Sequence, residues 1–118
     1  MRDLVIKCTA GAADPERANQ AFTVAAAAVS TGASVSLWLT GDAAWFAVPG
    51  HDDLGLPLAT PLAELRDLVV ASGRLTVCSQ CAARRSLGQD DLVPGARIAG
   101  AAAFAEEVLG EGVQALVY

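Results

Sequence analysis

A chain of 118 residues with 8 basic and 13 acidic side chains, net charge −5, is long enough to bury one core and too acidic to read nucleic acid, which needs a basic stripe. With 53% hydrophobic residues, 18% charged residues and a mean hydropathy of +0.42, it is apolar for a small monomer, which predicts an alanine-rich core and surface buried against other copies of itself. No apolar run approaches the roughly 20 residues of a membrane span, the start Met1-Arg2-Asp3 lacks the apolar stretch of an export signal, and three cysteines point to free thiols in a reducing cytoplasm.

In chain order, Leu4 to Thr9 reads as a first strand, a nearly continuous apolar run of the kind that is covered on both faces. After the small-residue loop Ala10-Gly11-Ala12-Ala13, Asp14 as cap and Pro15 in the first turn start a helix that Gly32 stops. Its second half, Ala25 to Val29, is apolar nearly all round, so another element should pack closely on it. Val35 to Thr40 is the second strand, ending at Gly41-Asp42, where Asp42 reads as a cap for the turn Ala43 to Phe46.

From Val48 to Thr60 the pattern breaks at Pro49, Gly50, Gly55 and Pro57; this loop holds the only histidine, His51, beside Asp52 and Asp53. Pro61 to Ser72 is a helix with Leu62, Leu65, Leu68 and Val69 at helical spacing. Arg74 to Cys78 is a third strand leading straight into a further helix. Ala96 to Ala99 is a short fourth strand, Gly100 to Leu109 a helix with Glu106-Glu107 as its polar patch, and Val113 to Tyr118 a last strand. Repeated β-α units imply an α/β fold, a three-layer α/β/α sandwich around a mainly parallel sheet of about five strands, with residues 1–118 forming a single domain.

Chemistry concentrates at Leu75-Thr76-Val77-Cys78-Ser79-Gln80-Cys81. Cys78 stands where a strand gives way to a helix, and ligands in open α/β sheets collect at the carboxyl ends of strands. Unpaired N–H groups at a helix start favour a thiolate, and Cys81, three residues on, lies on roughly the same helical face. The candidate binding residues are Cys8, on the same rim; His51, a base or cationic partner of the thiolate if its loop reaches the cysteine; and Arg85, which with Arg84 forms the one local basic cluster, about two turns along the helix, and reads as a helix C-terminal complement, a subunit salt bridge or a docking patch. The single Cys-x-x-Cys supplies two zinc ligands and only Cys8 and His51 could complete four, so no metal is predicted. With neither a glycine-rich fingerprint nor a P-loop, no cofactor is predicted either.

The order of strand, Cys78-x-x-Cys81, Arg84-Arg85, a turn and then Leu92-Val93-Pro94-Gly95-Ala96-Arg97-Ile98-Ala99-Gly100-Ala101 resembles the DsrE/DsrF-like sulfur-relay family (DsrEFH, TusBCD and the YchN-like branch) over essentially the whole chain. Ser86 departs from the glycine that often follows the arginine there. The resemblance implies that Cys78 accepts and passes on sulfane sulfur as a persulfide, that the partners are sulfur donor and acceptor proteins, and that the chain assembles as a homotrimer or hexamer. The residues themselves leave three functions open. These are a sulfurtransferase or sulfur carrier using Cys78, with Cys81 as a second acceptor; a dithiol redox protein in which Cys81 resolves; and a non-catalytic oligomeric binding module.

Overall fold

The computed structural model describes residues 2–118; Met1, which opens the segment read above as lacking an export signal, lies outside them. Five strands, β1 (Asp3–Cys8), β2 (Ser34–Leu39), β3 (Arg74–Cys78), β4 (Ala96–Ala99) and β5 (Val113–Val117), form one sheet of order β4-β3-β2-β1-β5. Every pairing is parallel, so the sheet is parallel throughout where a mainly parallel one was predicted. The helices are α1 (Pro15–Ser30), α2 (Leu62–Ser72), α3 (Ser79–Arg84) and α4 (Ala101–Val108), with 3-10 turns at Gly41–Ala47 and Gln89–Asp91.

The strand order dictates the layers. From β1 to β4 the chain steps one strand at a time in one direction, so right-handed crossovers put α1, α2 and α3 on one face. The return from β4 to β5 runs the other way and puts α4 on the opposite face. Each strand therefore divides its side chains between two different environments.

On the first face Ile6, Cys8, Leu37, Leu39, Leu75 and Val77 close an apolar core with Ala18, Ala21, Phe22 and Ala25 of α1 and Val69 of α2. Small side chains let α1 lie close to the sheet, and Phe22 fills the remaining space edge-on to Phe46 at 5.7 Å. Asp14 makes no side-chain cap bond to α1, contrary to expectation; its carboxylate pairs with Arg17 at 3.4 Å, and Pro15 at the first helical position suffices to start the helix. Gly32, at φ +87°, ends it in a conformation that other residues adopt at a cost.

The second face is held by a charge. Glu107 of α4, with a side chain 16% exposed, accepts hydrogen bonds from Ser36 and from Trp38 Nε1 (3.2 Å) and pairs with Arg97 at 2.7 Å and Arg74 at 3.6 Å. Glu107 is thus turned inward rather than forming a surface patch with the exposed Glu106. Phe104 of the same helix packs edge-on to Trp38 at 5.3 Å. Elsewhere α4 and β5 are open, with Leu109, Leu116 and Val117 at 82%, 40% and 66% exposure.

The 48–60 stretch is irregular, as its prolines and glycines imply, yet it is anchored. Arg66 of α2, buried, donates to the Phe46 carbonyl (3.2 Å) and to Asp52 (2.7 Å). No helix among the described residues is long and apolar enough to cross a membrane.

Candidate functional site

The carboxyl ends of the strands meet along one rim, made of Cys8-Thr9, Thr40-Gly41-Asp42, Cys78-Ser79, Gly100 and Tyr118. Cys78 closes β3 with an extended backbone (φ −59°, ψ 129°), and α3 begins at the next residue. Its side chain is half-buried, hence reachable, whereas Cys81 in the first turn of α3 is buried. All three cysteines are free thiols.

The surroundings of Cys78 favour its anion. Burial pushes the thiol up, but the backbone N–H of Cys81, the Cys81 thiol, the backbone N–H of Gln80 and the Lys7 charge together outweigh it, and the net direction is down. The N–H groups are those that a first helical turn leaves without a partner. Cys81 is itself held, since the Gly41 N–H donates to its sulfur at 3.1 Å. A chain of donors therefore runs from the end of β2 through Cys81 to Cys78.

Arg85 locks that arrangement from the far end of α3. It donates to the Cys81 carbonyl at 3.1 Å and to Asp42 at 2.7 Å and 3.3 Å. Asp42 is therefore the partner of Arg85 and not a cap: Thr40 occupies the cap position of the 3-10 turn, and no side chain bonds there. Gly11 makes the approach of the first loop possible, because a Cβ at that position would stand 2.5 Å from the Asp42 Cβ. Arg84 is exposed.

The other candidates stand apart. Cys8 is fully buried on the opposite sheet face, opposite Leu39 in register, with its thiol donating to the Ala10 carbonyl at 3.5 Å. Desolvation pushes it up to about 11, so it is neutral and inert at physiological pH. His51 is exposed, with its ring 4.9 Å from that of Trp45 and tilted 34° to it, and shares with Asp42 and Trp45 a rim cavity of about 310 Å³. None of its described contacts is with a cysteine. Among the described residues no three His, Cys, Asp or Glu side chains gather as metal ligands. Two contributions are not legible in the sequence: the backbone N–H of Gly41, a residue expected on this rim but without a role, and Lys7, whose signal is a single charge between the apolar Ile6 and Cys8.

Comparison with solved structures finds the same fold in the YchN protein of E. coli (TM-score 0.85, 17% identity) and in MTH1491 of Methanobacterium thermoautotrophicum, described as of unknown function (TM-score 0.76, 11% identity). Each match covers 100% of both chains. A search of curated proteins gives no match. The model of the DsrE/DsrF-like family matches residues 3–116, nearly the whole of the sheet and every helix described above, and the chain belongs to that family.

Proposed function

We propose that this chain is a sulfur carrier that holds sulfane sulfur as a persulfide on Cys78. The reading rests on one observation: a reachable thiol at a strand end whose anion is favoured by the Gln80 and Cys81 N–H groups and the Cys81 thiol. Membership in a family associated with sulfur relay supports it. In the first step the Cys78 thiolate attacks the outer sulfur of a donor persulfide; a new S–S bond forms and the donor leaves as its thiolate. In the second an acceptor thiolate attacks the outer sulfur on Cys78, and Cys78 leaves. The features that stabilise the thiolate serve both steps, since a weakly basic thiol also leaves faster.

In this reading Cys81 is a buried hydrogen-bond donor rather than a second carrier, Arg85 and Asp42 position α3, and His51 and Cys8 take no part. Donor and acceptor are proteins that reach the rim in the cytoplasm, where free thiols persist. The exposed apolar edge of α4 and β5 is covered by self-association, so the chain acts as a homo-oligomer, a trimer or hexamer.

Reduced protein treated with inorganic polysulfide, or with a cysteine desulfurase and cysteine, should gain the mass of one sulfur. Cys78→Ser should abolish the gain and Cys81→Ser should retain it. Loss of two hydrogens, abolished by either substitution, would instead identify the dithiol redox protein, and no modification would leave a binding module.

A further inference from the structure

Lys7 is a cation for which the fold supplies no anion. It is half-buried in the middle of the sheet, between β2 and β5, and among the described residues no carboxylate pairs with it. The neighbouring cations are all engaged: Arg74 and Arg97 with Glu107, Arg85 with Asp42. The Lys7 ammonium lies instead over the Phe104 ring, 5.1 Å from its centroid. A ring face offsets only part of the cost of drawing an ammonium out of water.

The sheet register shows where the missing anion belongs. Lys7 is opposite Trp38, and Trp38 is opposite Thr76, so these three share the face that α4 covers. Cys78 lies two residues beyond Thr76, and alternation puts it on that same face, nearer the rim. Phe104, packed on Trp38, steers the ammonium. The charged and titratable groups on this face are Asp3 and Lys7 from β1, Arg74 from β3, Arg97 from β4 and Glu107 from α4, with Cys81 facing Cys78 from α3. Among the described residues Lys7 is the one cation of this face without a carboxylate partner, and Asp3 stands four residues away at the other end of β1.

We propose that Lys7 is a positioning residue for the sulfur chemistry at Cys78, supplying the positive charge that selects anionic donors, such as a hydropolysulfide or a persulfide anion, over neutral ones. The inference rests on the sulfur-carrier reading for its biological meaning. Its physical content stands without it. The direction in which Lys7 acts on the Cys78 thiol agrees with this placement.

The test compares alkylation of Cys78 by iodoacetate, an anion, and iodoacetamide, its neutral counterpart of similar size. It uses wild type, Lys7→Met, which keeps an apolar stem against Phe104, and Lys7→Arg, which keeps the charge. With β2 between their strands, one weakly screened charge about 10 Å from the sulfur is worth roughly two- to tenfold in rate. Lys7→Met should lower the iodoacetate-to-iodoacetamide ratio by about that factor at low salt, and Lys7→Arg should restore it. Equal ratios in all three proteins would overturn the proposal.

Should Lys7→Met fail to fold, wild type alone decides. The net charge of −5 repels iodoacetate overall, so added salt would raise the ratio unless a local cation dominates at Cys78. A ratio that falls with salt supports Lys7, and one that rises overturns it. Because alkylation needs no persulfide, a protein that fails to load sulfur yet shows the Lys7 effect would refute the carrier reading alone.

Discussion

Glu107→Ala should lower the free energy of unfolding by about 2–4 kcal/mol, the loss expected when one member of a largely buried ionic network is removed. The carboxylate is the polar anchor of α4 on the sheet, beside the packing of Phe104 on Trp38: it gathers Ser36, Trp38, Arg97 and Arg74. Without it Ser36 and the Trp38 ring N–H lose their acceptor in a place that water reaches poorly. The same network makes stability depend on acid. Burial pushes the Glu107 carboxyl up, but the Ser36 and Trp38 bonds and the Arg74 and Arg97 charges outweigh it and hold it below the ordinary value. Its contribution is therefore complete above the unfolded pKa of about 4.3 and is lost as pH falls through the lower, folded value. Urea unfolding of wild type and Glu107→Gln across the acid range checks both statements. The variant should be less stable at neutral pH and should lose less on acidification.

Arg66→Ala should be of comparable size, about 3–4 kcal/mol, for a different reason. Here the buried group is the cation, whose side chain is 7% exposed and which ties the Phe46 carbonyl and Asp52 to α2. Removing it leaves Asp52 beside a void and frees the loop that carries His51. The loss should therefore be global and local at once: a lower midpoint in thermal unfolding, and faster proteolysis within residues 48–60 in the native state. Cys78 sits at the end of β3, with no described contact to this loop, so its alkylation rate should stay within about twofold of wild type below the unfolding transition.

Strands and helices were legible because the fold is built from local signals that agree with one another. Apolar runs marked strands, Pro15 and Pro61 marked helix starts, Gly32 and Gly73 marked ends, and the alternation of the two element types implied the parallel sheet. Cys78 was legible because its position depends on a strand-to-helix boundary within a few residues. Interactions across many residues were not. The Asp42–Arg85 pair joins positions 43 apart, and Glu107 reaches Ser36 across 71, so Asp42 looked like a cap and Glu107 like surface. Cys8 shared the rim in sequence terms, but strand alternation turned it to the dry face. Lys7 gains its meaning only when the register sets it in line with Trp38 and Thr76.

The central claim is that the end of β3 favours the Cys78 thiolate and draws its titration below the ordinary value, and the rate of its alkylation by iodoacetamide as a function of pH measures this directly. The account predicts a half-titration below the ordinary free-thiol value of about 8.5, moved upward in Cys81→Ala, with Cys8 unmodified until the protein is unfolded. A half-titration at or above the free-thiol value, unmoved by Cys81→Ala, would contradict it.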